Sequence, residues 1–122
     1  MIEQLTDFPS NVVAFVCKAR VTKSDYDAVL VPAVLNALRT HDKVRLYYET
    51  DADFAGFDLG AAWEDFKIGM EHFTRWDRVA VVTDIEWIKH MTRFFGFLMP
   101  GTMVKLFSRS DATQARDWIR AN

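Results

Sequence analysis

Four carboxylates are the side chains best placed by spacing to do chemistry. Glu49, Asp51 and Asp53 alternate where an apolar run ends, and Asp84 closes a second such run at Val79–Val82. Oxygen ligands gathered in this way suit a hard cation such as Mg²⁺. A metal-assisted hydrolase using Glu49, Asp51 and Asp84 is therefore one reading. The other is structural: carboxylates at helix starts face unpaired backbone donors and the positive end of the helix dipole. The spacing fits no ordered cation loop, so the structural reading is the one adopted. His41, His72 and His90 form no i,i+4 pair and have no cysteine partner, so no zinc site is expected. Cys17 lies inside an apolar run and reads as a buried, inert thiol. No Gly-x-Ser-x-Gly elbow is present, and the five glycines form neither GxGxxG nor a Walker loop. Ser24, Ser108 and Ser110 stand where caps and strand ends want hydroxyls. No catalytic residue, metal or cofactor is expected.

Aromatic residues carry a second signal. The chain has four Trp and ten Phe, and 14% of it is aromatic. Most fall on helix stripes and read as core. Phe54 and Phe57 instead lie in a loop beside Asp53, and Asp84 and Trp87 flank the next helix start. The run 94–100, Phe-Phe-Gly-Phe-Leu-Met-Pro, covers more than one helix face. A short helix cannot bury all of it against one sheet, so Phe95, Phe97, Leu98 and Met99 are expected to meet something else, or to fold back into the core. An exposed apolar patch marks a partner or ligand surface. Three occupants fit: a second copy of the chain, giving a closed homodimer; a membrane surface, for which Lys89, His90 and Arg93 are a thin basic flank; or a small apolar ligand.

The elements that position these residues follow from periodicity. Ile2–Thr6 and Val12–Ala19 read as an antiparallel pair of strands around a turn at 7–11. Thr22 or Ser24 caps a helix whose stripe is Tyr26, Val29, Leu30, Ala33, Val34, Ala37 and Leu38, with Pro32 inside it as a kink. Lys43–Thr50 is a strand, and a helix from Asp58 carries Leu59, Ala62, Trp63, Phe66, Met70 and Phe73. Arg78–Thr83 is a strand. A helix after Asp84 carries Trp87, Ile88, Met91, Phe94 and Phe95 as its stripe. Met103–Ser108 is the last strand, and Ser110 or Asp111 caps a last helix with Ala115, Trp118 and Ile119 inward. The order ββαβαβαβα implies an α/β fold, a mostly parallel sheet of about five strands with about four helices and right-handed crossovers.

Length and composition set the remaining bounds. A chain of 122 residues fits one domain, 1–122, with a proper core. Half of it is hydrophobic, 26% is charged and the formal net charge is −2. Those figures speak against disorder, and no basic stripe invites nucleic acid. No segment approaches the ~18 apolar residues of a transmembrane span. One cysteine rules out an intrachain disulfide, and the first residues lack a leader pattern, so a cytoplasmic home is expected.

The ordered set of residues resembles the SpoIIAA-like family, of the STAS fold and also described as STAS/SEC14-like. The set comprises Thr22-Lys23-Ser24-Asp25-Tyr26 with Pro32, then Asp53-Phe54 and Gly56-Phe57 ahead of Trp63-Glu64-Asp65, then His72. Arg78 to Asp84 with Trp87, Phe107, and Ala115 to Trp118-Ile119 complete it. The resemblance spans essentially the whole chain. It implies a small sheet with packed helices and no established catalysis, hence a regulatory or protein-interaction module in a bacterial cytosol. STAS proteins that antagonise anti-sigma factors carry a phosphorylated serine in an Asp-Ser-Ser-Gly type stretch. Here that stretch is Asp53-Phe54-Ala55-Gly56-Phe57, with no hydroxyl to accept phosphate. The SEC14-like kinship implies a lipid-like ligand as the alternative, although 122 residues leave little chain to wall a large pocket. The binding end is expected at Asp53, Phe54, Phe57, Asp84 and Trp87, with Phe95, Phe97, Leu98 and Met99 as a candidate interface.

Overall fold

The structure is a computed structural model that describes residues 1–60, 62–63, 67, 71 and 74–121. Seven strands run through them: β1 (Ile2–Leu5), β2 (Val12–Cys17), β3 (Arg20–Val21), β4 (Val44–Thr50), β5 (Gly56–Phe57), β6 (Trp76–Val82) and β7 (Met103–Phe107). Helix α1 spans 23–40, α2 is Glu86–Leu98, and α3 is Ala112–Arg120 after a 3₁₀ turn at Arg109–Asp111. Five strands form one sheet in the order β1-β2-β4-β6-β7. Strand β1 is antiparallel to β2, and the remaining neighbours are parallel. This is the mostly parallel α/β sheet expected from the alternation of strands and helices.

The expected helix from Asp58 falls largely outside the described residues. Leu59, Gly60, Ala62, Trp63, Lys67 and Glu71 are helical; Glu64, Asp65, Phe66, Met70, His72 and Phe73 lie outside the description.

All six residues of β2 are buried. This is the signature of a central strand covered on both faces, and it explains the unbroken apolar run. Alternate side chains then divide between two cores. Val13, Phe15 and Cys17 join Tyr26, Val34, Val44 and Tyr48 on the α1 side. Val12 and Ala14 join Tyr47, Ala80, Val82, Ala115 and Ile119 on the α3 side.

The start of α1 is fixed by a reciprocal cap. The Asp25 backbone N–H donates to Thr22 Oγ1 at 3.2 Å, and the Thr22 backbone N–H donates to Asp25 Oδ2 at 2.8 Å. That backbone bond holds the Asp25 carboxyl below the usual carboxylate range against the opposing effect of burial. The N-terminal ammonium, 3.3 Å away, assists. Pro32 does not simply kink the helix: the turn before it, Tyr26–Leu30, is wound as a π-helix. The wider turn accommodates a ring that offers no N–H and crowds the carbonyl four residues back.

A two-stranded parallel pairing of β3 with β5 was not anticipated. Two-residue strands carry too few positions to show a period of two. Gly56 in β5 has φ +135°, a conformation open to glycine and strained for other residues. Strand boundaries also differ: β1 stops at Leu5, β2 at Cys17 and β7 at Phe107, β4 begins at Val44, and β6 spans Trp76–Val82.

Candidate interaction site

The carboxyl ends of β2, β4 and β6 meet where open α/β sheets place ligands. Buried Thr50 and Thr83 share a hydrogen bond of 2.7 Å that ties the ends of β4 and β6 together. The loop after β4 is held from below by Asp51 N–H to Cys17 O at 3.0 Å and Ala55 N–H to Ala19 O at 2.7 Å. Arg20 pairs with Asp58 at 2.7 Å across the same loop.

That frame aims Phe54 and Phe57 inward more than their loop position suggests. Phe57 is the hub of an aromatic cluster. Its ring centroid lies 5.0 Å from Phe54, 5.9 Å from Trp87, and 6.4 Å from both Tyr26 and Tyr48. The hydroxyls of Tyr26 and Tyr48 hydrogen-bond at 2.8 Å beneath it. Three of the expected residues, Phe54, Phe57 and Trp87, are thus brought together. Both phenylalanines are half-buried against the α1-side core, and Trp87 stays half in water as the lid of the cluster.

The two aspartates are not brought into it as partners. Asp53 is exposed, and the turn is closed by Asp51, whose Oδ1 accepts the Asp53 N–H at 2.9 Å. Asp84 was expected to cap the following helix. Its Oδ1 instead accepts the Arg109 N–H at 3.0 Å, across to the turn before α3. The N-cap of α2 is Ile85, whose N–H is met by Thr83 Oγ1 at 3.2 Å. At α3 Asp111 holds the expected N-cap position, but its side chain makes no cap bond; its Oδ2 accepts instead from Ser108.

Glu49, the third acid of the hydrolase reading, accepts the Tyr47 hydroxyl at 2.5 Å on the α3 face of the sheet. Burial, helped by that bond, pushes the Tyr47 hydroxyl up to about 12. Glu49, Asp51 and Asp84 are thus each engaged in a different local contact. Among the described residues no three His, Cys, Asp or Glu side chains converge on a point.

Helix α2 gives the larger surprise. Its buried residues are Ile88 and Thr92, with the Thr92 hydroxyl returned to Ile88 O at 2.8 Å. Gly96 brings the helix close to β7, where an added Cβ would stand 3.4 Å from Val104 Cβ. The inward stripe is thus small. Trp87, Met91, Phe94 and Leu98, spaced four, three and four apart, all face solvent. Phe97 is 84% exposed, Leu59 is 92% exposed and Trp63 is 60% exposed.

Of the four residues expected as surplus, Phe97 and Leu98 are exposed and Phe95 is half-buried. Met99 must be corrected: it is 7% exposed and belongs to the α1-side core. The helix ends at Leu98, so the next side chain follows the turning backbone inward. The helix periodicity places Met91 and Phe94 on the same stripe as Ile88, yet both are exposed. The segment has two apolar stripes, and periodicity alone does not say which one meets the sheet.

The SpoIIAA-like family model covers residues 12–120. The chain belongs to the SpoIIAA-like family. A solved structure from Shewanella loihica PV-4, an uncharacterised protein of the DUF3478 family with a SpoIIAA-like fold, is similar to it. The TM-score is 0.69 at 27% identity, over 97% of this chain and 93% of that one. Among curated proteins none matches this chain. Members of this fold are generally non-catalytic. No helix among the described residues is long and apolar enough to cross a membrane.

Proposed function

We propose that the chain is a single non-catalytic regulatory or protein-interaction domain, cytoplasmic, that docks a protein partner or a second copy through the outward face of α2. The observation that carries this reading is the solvent-facing stripe of Trp87, Met91, Phe94 and Leu98. Leaving large apolar side chains in water forgoes roughly 1.5–3 kcal/mol for each one that could be fully buried. A contiguous stripe of that kind marks a surface completed by something else. Trp87 links the stripe to Phe57 and the strand ends, so a partner on α2 would also touch the aromatic cluster.

The reading excludes the phospho-switch of anti-sigma-factor antagonists. Ala55 and its neighbours in the loop bear no hydroxyl, and the nearest one, Thr50, is fully buried and bonded to Thr83. Incubation with an anti-sigma kinase should leave the loop unmodified; a phosphopeptide from residues 50–57 would contradict this.

Native mass spectrometry tests the docking face, using the parent chain and the Met91→Ser/Phe94→Ser double variant. A dimer or a co-purified protein complex that dissociates in the double variant is the expected result. A monomer carrying a few hundred daltons of extra mass would favour the small apolar ligand. A bare monomer in both chains would remove the reading.

A further inference from the structure

Strand β7 is an edge of the five-stranded sheet, hydrogen-bonded only to β6 among the described residues. The Phe107 carbonyl accepts the Thr83 N–H at 3.0 Å, so Phe107 turns its backbone groups toward β6. In a parallel ladder these groups alternate in direction along the strand. Val104 and Leu106 must therefore turn their N–H and C=O groups to the open side. Beside that open side lies a groove of about 350 Å³, floored by Val104 and Leu106 and bounded by Gly96 and Arg93 of α2. Gly96 keeps the helix low over the strand.

Charge decides what fits there. Arg93 is exposed at the groove, and exposed Lys105 projects from the opposite face of β7 over the Trp118 ring at 5.3 Å. Neither is paired with a carboxylate among the described residues. A second copy pairing antiparallel about the strand centre would set Lys105 against Lys105, and like charges directly opposite are destabilising. An edge lysine is a common guard against self-pairing.

We infer that the β7 edge is a strand-addition site for an extended, acidic segment of another protein. Val104 and Leu106 supply the main-chain hydrogen bonds. An acidic residue of the incoming strand lies opposite Lys105, and its alternate apolar side chains enter the groove beside Gly96. The site is independent of the apolar stripe on α2, so the Met91→Ser/Phe94→Ser variant should keep it.

The probe is a short synthetic peptide alternating Ile with Glu, compared with one alternating Ile with Lys, followed by amide hydrogen exchange. In the free chain the Val104 and Leu106 amides should exchange fast while the inward Lys105 amide is protected. The Ile–Glu peptide should protect Val104 and Leu106, with binding that weakens as salt is added. Val104→Pro removes one outward donor without touching the ladder to β6, and should weaken binding about tenfold. If that variant fails to fold, Lys105→Glu carries the test: it should weaken the Ile–Glu peptide and shift preference toward Ile–Lys. Continued fast exchange with the Ile–Glu peptide, or equal binding of the two peptides, would overturn the inference. So would Val104 and Leu106 amides already protected in a dimer without peptide, since the second copy would then occupy the edge.

Discussion

Helices α2 and α3 lie on opposite faces of the same sheet, and they use apolar residues in opposite ways. Helix α3 is conventional: Ala115 and Ile119 are fully buried, Trp118 packs on Phe107, and charged residues face out. Its carboxyl end is tied down by cations from the sheet. Arg78 donates to Trp118 O at 2.8 Å, and Arg45, itself paired with Asp77 at 2.9 Å, donates to Ile119 O at 2.9 Å. Cations there also suit the negative end of the dipole. Helix α2 buries only Ile88 and Thr92 and turns its larger side chains to water. One helix completes a core, whereas the other presents a surface. The comparison shows that apolar content by itself does not mark a structural helix.

The largest effect should come from α3. Ile119→Ala removes a fully buried side chain from the α3-side core. It should cost about 2–5 kcal/mol, measured by denaturant unfolding. A loss below about 1 kcal/mol would mean that this face is not the better-packed one.

Tyr47 sharpens the same contrast, because its ring is fully buried beneath α3. Tyr47→Phe removes the hydrogen bond to Glu49 and should cost about 1 kcal/mol at neutral pH. The folded hydroxyl titrates near 12 against an ordinary 10.0, so the unfolded chain releases its proton first. Stability from this group is complete below the ordinary value and declines as pH rises toward the folded one. That part of the alkaline loss should be absent in Tyr47→Phe.

Asp25 predicts the reverse slope at acid pH. Its folded value lies below the ordinary aspartate value of 3.8, so its contribution is full above that value and fades as pH falls through the lowered one. Asp25→Asn should flatten the acid limb of the stability profile, and Asp25→Ala should cost about 1 kcal/mol through loss of the cap. An unchanged acid limb in Asp25→Asn would show that the cap holds without the charge.

The smallest effect on stability is expected on α2. Met91→Ser and Phe94→Ser should each change unfolding free energy by less than about 0.5 kcal/mol, because both side chains are already exposed on the surface. Both should reduce binding of a dye that reports exposed apolar surface. A loss as large as that of Ile119→Ala would break the contrast and return α2 to the core.

Much of the fold was legible because burial on two faces and burial on one face leave different patterns. The unbroken run in β2 and the three-and-four spacing in α1 and α3 each reflect local geometry. The cap at Thr22 needs only Asp25 three residues on, so it too was available. The pairing of β3 with β5 and the π turn before Pro32 were not: the first depends on distant chain, the second on how the helix absorbs the ring.

The candidate site divides the same way. Residue types and spacing determined an aromatic loop after β4, a loop without a phosphate acceptor, and more apolar side chains near 94–99 than one face can hold. Tertiary structure decided that Phe57 is the hub under Trp87, that Asp84 reaches Arg109 instead of capping α2, that Met99 is core, and that the stripe through Met91 and Phe94 faces out. The reason is physical. Periodicity fixes which side chains share a face, but only packing against the rest of the chain decides which face is turned to water.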